Sequence, residues 1–254
     1  MIKYIHYFET NNDFDKEYNT SAYTEPWVSY TEENGEINYN KGVPSGETHE
    51  YVEIAGVKWA TMNLGAENPW DYGKYYQWGD VEGYTVDQIG DTEGKKYFDW
   101  QSYKFAIGQS SLDNAFTKYN DSDDLKALEL VDDAVNVEWG GNWRVATDEE
   151  WRALINSTTS AWTADYEGSG VAGFILTDNN DSSKKLFFPA AGYAQYTNVL
   201  YSNTECVFWS NHIDTGFGNS NSIIVAMGDI DINSFDIASS YRYYGYTLRG
   251  VLDE

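Results

Sequence analysis

Cysteine is almost missing from this chain of 254 residues. Cys206 stands alone, so no intrachain disulfide framework and no thiolate zinc site can form. Histidine is nearly as scarce: His6, His49 and His212 are scattered and outline no metal cluster, so no metal and no cofactor is expected. Positive charge is short as well, with 16 Lys and Arg against 41 Asp and Glu and a formal net charge of -25. An acidic surface repels phosphate backbones and anionic headgroups, which argues against nucleic acid and acidic membranes as partners. Long apolar runs are lacking, and membrane insertion is not expected. The opening MIKYIHYFETNNDFDKEY has neither an apolar h-region nor a small-residue cleavage site, so no signal peptide is visible. No repeat of fixed period is found.

Aromatic residues are abundant. They make up 17% of the chain, with ten Trp and 22 Tyr, which is ample apolar surface for a core and speaks against disorder. In the first 41 residues, WVSYTEENGEINYNK places two alternating runs around Asn34-Gly35, a pair that tolerates the positive φ of a type I′ turn. A hairpin over 27–40 is predicted, within a small β module at 1–41. GVPSGETHE (42–50) reads as a linker.

A larger domain over 51–254 follows. YVEIAGVKWATMNLG predicts two strands with a turn at Ala55-Gly56. ENPWDYGKYYQWGD reads as a loop and an aromatic strand, and 84–120 as a long irregular excursion. SDDLKALELVDDAVNVEWGG (122–141) contains helix-forming sequence with Leu125, Leu128 and Leu130 on an apolar face. TDEEWRALINS carries the clearest helix signal. Thr147 and Glu150 have capping-box spacing, and Trp151, Leu154 and Ile155 share one face. Acidic Asp148, Glu149 and Glu150 suit a helix N-terminus. GVAGFILTDNNDSSKKLFFPAAGY predicts strand, polar hairpin turn and strand. From Tyr193 onward the reading is short strands and long loops.

VKWATMNLGAENPWDYGKYYQWGD, WGGNWRVATDEEWRALI, LFFPAAGY, FWSN and YYGYTLRGV occur in that order. As an ordered set they resemble C-type-lectin-fold domains related to formylglycine-generating enzymes. More narrowly, they resemble variable proteins of diversity-generating retroelements in gut bacteria and phages. The resemblance covers about 51–254. It departs at Ala146, where the family usually has Pro. The N-terminal module resembles segments of phage tail proteins. The implied fold is α+β: a C-type lectin fold preceded by a small N-terminal β module. The motif WGGNWRVATDEEW is expected to build scaffold and touch no ligand.

The resemblance also implies a codon bias. Such elements substitute at template adenines, typically in AAC-like codons, which yield Asn, Ser, Tyr, Asp, Thr, Ile, His and Gly among others. Lys, Glu, Gln, Met and Trp are out of reach. Residues 1–195 hold 12 Lys, 17 Glu, 5 Gln, 2 Met and 9 Trp, whereas 196–246 holds only Glu205, Trp209 and Met227 of these types. β propensity also disfavours Lys and Glu, but the first 60 residues read as β and are rich in Glu. The expectation is a variable region at about 194–246 displayed on a scaffold of 51–195, Trp209 and the last strand. Tyr supplies rigid contact area and Asn and Ser adaptable hydrogen bonds, the composition of antibody paratopes.

The residues assigned to that ligand-binding surface are Asn198, Tyr201, Asn203, Asn211, His212, Asp214, Asn219, Asn221, Asp229, Asp231, Asn233, Phe235, Asp236, Tyr241, Tyr243 and Tyr244. In IIVAMGDIDI, alternation sends Ile223, Val225 and Met227 to the core, with a loop beyond Gly228. Leu248 and Val251 read as core, and Arg249 as a buried structural Arg paired with a carboxylate.

The implied function is non-catalytic recognition of a bacterial surface protein or glycan, by a phage tail protein or a bacterial surface adhesin. A homo-oligomer, a trimer by analogy with phage fibres, would add avidity. The site would then act on a virion or outside the cell. Three alternatives remain. A copper enzyme of the formylglycine-generating kind needs a cysteine pair, and only Cys206 is present; iron relatives use His and carboxylate, but His212 has Asp214 nearby and no second His. No catalytic set stands out. A calcium-dependent lectin would show Glu-Pro-Asn or Gln-Pro-Asp and then Trp-Asn-Asp; none occurs, though TDNNDSS (177–183) has oxygens for a hard cation. The last is a virion surface protein with no selective ligand.

Overall fold

The N-terminal hairpin is present in the computed structural model. Strands β1 (Lys3–Ile5), β2 (Val28–Glu33) and β3 (Glu36–Lys41) form an antiparallel sheet in that order, with Glu33 opposite Glu36. That register leaves the two-residue connection that Asn34-Gly35 suits, although those two residues lie outside the described ones. The structure describes the strand backbone of β1–β3 and residues 49–106, 116–217, 221–227 and 235–254. The chain divides into one unit of Met1–Thr48 with Trp139–Gly141 and a second of His49–Glu138 with Asn142–Glu254. Of the expected linker, only His49 and Glu50 are among the described residues.

The second unit is α+β and mainly β. Its first pair is β4 (Tyr51–Ile54) and β5 (Val57–Asn63), joined by Ala55 and Gly56, both at positive φ of 54° and 77°. Next come α1 (Ala134–Trp139), β6 (Trp143–Val145) and α2 (Asp148–Ser157), then β7 (Thr158–Thr163), β8 (Gly173–Asp178) and β9 (Lys185–Pro189). The tail contributes β10 (Tyr193–Gln195), β11 (Asn198–Leu200), β12 (Cys206–Asp214), β13 (Asn221–Met227), β14 (Phe235–Tyr241) and β15 (Arg249–Leu252). Four sheets result, with orders β4-β5-β15-β6, β7-β8-β9, β10-β11 and β12-β13-β14. The last strand enters between β5 and β6, with Val251 opposite Trp59 on one side and Arg144 on the other. Long-range pairing therefore holds the two ends of the unit together.

α2 begins as its capping box requires. The Glu150 N–H donates to Thr147 Oγ1 at 3.1 Å and the Thr147 N–H donates to Glu150 Oε2 at 2.8 Å. A cap of this kind contributes about 1 kcal/mol. Glu150 is held in turn by a two-pronged contact with Arg144 at 2.8 and 2.6 Å. Trp151 and Leu154 are buried, and Trp151 meets Trp59, Phe188 and Phe208 at centroid distances of 4.8, 5.5 and 5.3 Å. Phe174, Leu176, Leu186, Val225 and Val251 complete this core. The polar stretch at 177–183 forms the β8–β9 turn, where Asp178 Oδ1 accepts from the N–H groups of Asn180 and Asp181.

Several expectations need correction. The aromatic segment around Tyr75 is no strand. Tyr75 and Tyr76 make single bridges to Tyr84 and Tyr246, and the segment is bounded by Gly73 and Gly79, both at φ 75°. Of the helix-forming stretch 122–141, only Ala134–Trp139 is α-helix, and Leu125 and Leu128 lie before it. Asp123 draws the N–H groups of Tyr119, Asn120 and Leu125 into a turn, Asp124 is left-handed at φ 55°, and the Leu128 N–H donates to Asn211 O; Leu130 is exposed. Short strands are present in the tail as expected, but β12, β13 and β14 are longer and pair into one antiparallel sheet. In β13, Val225 is in the core but Ile223 is half-buried and Ile224 buried, because this central strand is covered on both faces; the Met227 side chain is outside the described residues. Leu248 and Val251 are buried as expected. Arg249 is fully buried without a carboxylate: Nε donates to Asn63 Oδ1 at 3.0 Å, and the terminal nitrogens to Ala60 O and Phe187 O at 2.9 Å each.

Asp133 shows burial winning over hydrogen bonding. Its carboxylate accepts from the N–H groups of Asn136 and Val145 at 3.0 and 2.8 Å, yet desolvation pushes its pKa up to about 6. Because the folded value lies above the ordinary carboxylate value, the native state binds this proton more tightly than the unfolded chain. The group's contribution is thus most favourable in acid and falls by about 3 kcal/mol as pH rises from about 4 to about 6. Burial raises Asp132 too, but hydrogen bonds from Lys104, Lys118 and Tyr119 outweigh it and hold its pKa below the ordinary range. Carboxyl-carbon NMR titration should show Asp133 moving with a midpoint near pH 6 and Asp132 well below it; two coincident midpoints would contradict this account.

Candidate ligand-binding face

Three reciprocal backbone bridges bring the irregular excursion and the tail together. Phe98 exchanges hydrogen bonds with Tyr196, Ala194 with Gly245, and Tyr76 with Tyr246, at 2.7 to 3.1 Å. Gly245 permits the approach, since a Cβ there would stand 2.4 Å from the Phe98 ring. Side chains lock the arrangement. The Trp78 indole N–H donates to Ser210 O at 2.9 Å, and the Trp209 indole N–H donates to Tyr76 O at 2.8 Å. Gln77 Nε2 donates to Tyr243 O at 3.0 Å.

Arg242 anchors the tail from beneath. It is fully buried, donates to Tyr119 O at 2.9 Å, and lies 4.1 Å from the Phe116 ring centroid and 5.3 Å from that of Trp78. Its neighbours Tyr241 and Tyr243 meet as stacked rings at 5.9 Å, with Trp100 between them and Phe116. From there ring contacts spread outward. Tyr243 touches Tyr196, Tyr244 and Trp100 at 6.2, 4.6 and 4.8 Å; Tyr196 touches Tyr97 at 5.8 Å; Tyr193 touches Tyr244 and Tyr201 at 5.6 and 5.8 Å. Tyr201, Tyr196, Tyr97 and Tyr241 are 56%, 45%, 40% and 37% exposed, whereas Tyr243 is only 5% exposed. Desolvation raises the pKa of Tyr193 and of Tyr243, so these phenols stay neutral and able to donate.

No family model, no curated protein and no solved structure matches this chain.

The assigned surface residues divide. Tyr201, Tyr241 and Tyr244 join the ring group, and Tyr244 OH accepts from Gln195 Nε2 at 2.8 Å. Asn198 is exposed at the start of β11. Asn203 is exposed but also structural: it is left-handed at φ 63°, and its Oδ1 accepts from Tyr72 OH at 2.9 Å. Tyr243 and Asn221 are buried, which corrects their assignment as open contact residues. Asn221 is central in a row with Asp214 and Tyr241 on neighbouring strands and bonds Ser239 Oγ at 3.3 Å. Asn219, Asp229, Asp231 and Asn233 lie outside the described residues, as do the side chains of Phe235 and Asp236. Sequence reasoning missed Tyr97, Trp100, Tyr193 and Tyr196. For Tyr97 and Trp100 the signal was an excess of aromatics in a stretch with no strand or helix period; Tyr193 and Tyr196 flank the short strand β10, which offered no such signal.

Asn211 and His212 sit at a register shift in β12, away from the ring contacts. The Asn211 N–H donates to Ala146 O at 3.1 Å, which brings His212 to the N-terminus of α2. There His212 Nδ1 lies 2.6 Å from Asp148 Oδ1 and 3.7 Å from Glu149 Oε2. These three residues could offer one ligand atom each to a metal ion, a grouping the scattered histidines did not suggest. Asp214 Oδ1 is engaged by the Gly216 N–H at 2.8 Å. Cys206 is buried with its thiol against Phe188 O at 3.2 Å, and burial pushes its pKa up, which suits packing rather than nucleophilic attack. Among the described residues no helix is long and apolar enough to cross a membrane.

Two neighbouring tyrosines should respond oppositely to truncation. Tyr243→Ala removes a buried ring with several aromatic partners and should cost about 3 kcal/mol or more, while exposed Tyr241→Ala should cost less than about 1 kcal/mol. Urea denaturation of both variants checks this; equal losses would mean that Tyr243 is no more anchored than exposed Tyr241.

Proposed function

We propose that this protein is a non-catalytic ligand-binding protein: a C-type lectin fold of the formylglycine-generating-enzyme-like kind, carrying a surface diversified by a retroelement. Its place would be a phage tail, as a receptor-binding protein, or a bacterial surface, as an adhesin. The observation that carries the reading is the coincidence of composition and position. The stretch depleted in Lys, Glu, Gln, Met and Trp contributes Tyr201, Tyr241 and Tyr244 to one aromatic face. Trp209, which that stretch retains, is buried and holds the face to the scaffold. Trp has a single codon, TGG, which contains no adenine and would be spared. Arg242 shows that the window also holds anchor residues, so variability and exposure need not coincide at every position.

A metal-dependent reading has one observation in its favour, the grouping of Asp148, Glu149 and His212. Against it, Asp148 and His212 already satisfy each other at 2.6 Å, and the positive end of the α2 dipole favours anions over cations. Binding through the aromatic face is therefore preferred.

Sequencing a few kilobases downstream of the gene tests the reading. The expected result is a near-copy of the codons for residues 194–251 beside a reverse-transcriptase gene, with mismatches confined to template adenines. No such copy would remove diversification and leave a binding face of fixed sequence. Assembly as a trimer belongs to the same proposal, because several weak sites on one particle raise effective affinity. Light scattering on the full chain should give three times the mass of 28.9 kDa; a monomer at working concentration would exclude it.

A further inference from the structure

We infer that the aromatic face takes an uncharged carbohydrate chain, without a metal ion, and that Tyr97, Trp100 and Tyr193, outside the depleted stretch, form a fixed half of the contact surface. This rests on the reading of the tail as part of a ligand-binding face and names the ligand class of that face.

The ring arrangement is the first ground. Exposed Tyr97, Tyr196, Tyr201 and Tyr241 surround buried Tyr243 and half-buried Tyr193 and Tyr244. The outer rings are thus held by inner ones, with neighbouring centroids 5.6 to 6.2 Å apart along the chain Tyr97, Tyr196, Tyr243, Tyr244, Tyr193, Tyr201 apart from the closer Tyr243–Tyr244 pair at 4.6 Å. An aromatic face carries partial negative charge. The C–H groups on one side of a pyranose are weakly positive and apolar, and they lie flat on such a ring. Rings braced in advance lose little side-chain entropy on binding.

Polar chemistry is the second ground. Every exposed ring in the group is a phenol, able to donate and to accept one hydroxyl hydrogen bond or more. The Gln195 amide adds another neutral group at 2.8 Å from Tyr244 OH. A polyhydroxylated ligand matches that inventory.

Charge is the third. The basic side chains nearest the rings are turned away: Arg242 is buried, and Lys96 lies over the Tyr84 and Phe98 rings and reaches Asp80 at 3.8 Å. With a net charge of -25 overall and no free cation placed on it among the described residues, the face disfavours sulfated, phosphorylated or uronic acid chains. Direct stacking and hydroxyl contacts need no cation.

The test uses the full chain on immobilised dextran, laminarin and yeast mannan, with polygalacturonate as the anionic control, all in EDTA. Binding to at least one neutral polysaccharide is expected, with none to polygalacturonate. Tyr196→Ala with Tyr241→Ala should weaken it about tenfold or more at unchanged melting temperature, by the strength of two stacked contacts. The Phe pair, which keeps the rings, should retain part of the affinity. Tyr97→Ala should also weaken binding, although it lies far from the depleted stretch. The inference is overturned if no neutral polysaccharide is bound, if only polygalacturonate is, if EDTA abolishes binding, or if the Ala pair binds normally. Protease-sensitive binding to whole bacteria with no polysaccharide bound would overturn it in favour of a protein ligand and leave the ligand-binding reading standing. Absence of the template copy would instead count against diversification and leave the polysaccharide result unaffected.

Discussion

The reciprocal clasp between Trp78 and Trp209 is the contact on which the rest of the second unit depends. Each indole N–H donates to a backbone carbonyl of the other's segment, Trp78 to Ser210 and Trp209 to Tyr76. Among the described residues between β5 and α1 there is little regular structure, so their backbone groups cannot be satisfied by ladders alone. Buried aromatic side chains do that work while also supplying apolar area. Tyr75 OH donates to Ala191 O and Tyr103 OH to Trp78 O in the same way. The aromatic wealth of the chain is thus explained as much by an irregular segment needing donors as by a core needing bulk.

From that clasp the candidate face follows. Once 76–78 is tied to β12, the bridges Tyr76–Tyr246, Ala194–Gly245 and Phe98–Tyr196 bring three distant segments side by side. Arg242, buried against Phe116 and Trp78, leaves its neighbours Tyr241 and Tyr243 on the ring-bearing side. A buried guanidinium without a carboxylate is costly, and burial lowers the pKa of Arg242 and of Arg249 alike. Arg249 is met by the Ala60 and Phe187 carbonyls, the Asn63 amide and the Phe188 ring, whereas Arg242 bonds Tyr119 O, packs on Phe116 and leaves its Nε buried without a partner. The same device recurs at the tail segment and at the last strand, where the chain must be held firmly to the scaffold.

Local signals were legible where a few neighbouring residues decide the outcome. The Ala55-Gly56 turn, the Thr147–Glu150 box and the 177–183 turn are set by adjacent side chains and backbone φ, and each is where the residues indicated. Within 122–141 helix formed only over Ala134–Trp139, because Asp123 offered the preceding backbone a competing set of acceptors, so the apolar helix face expected of Leu125, Leu128 and Leu130 did not form. Strand β7, TTSAWT, went unread because it follows α2 directly and has no turn residues to announce it. Asp148, far from His212 in sequence, became its partner only through a register shift in β12.

Sequence by itself determined the composition of the candidate face: acidic overall, poor in cations, rich in phenols and amides, with a tail nearly devoid of Lys, Glu, Gln, Met and Trp. It also determined the β4–β5 pair and the capped helix α2 of the scaffold. Tertiary structure alone decided which of those tyrosines are displayed. Tyr241 is exposed, and Tyr243, two residues on, is buried among Trp100, Tyr196 and Tyr244. Tyr97, read as ordinary scaffold, joins the exposed group, and half-buried Tyr193 braces it. The physical reason is that exposure is a property of neighbours, and the neighbours here come from segments about fifty to about 150 residues apart in the chain, brought together by hydrogen bonds that no local pattern records.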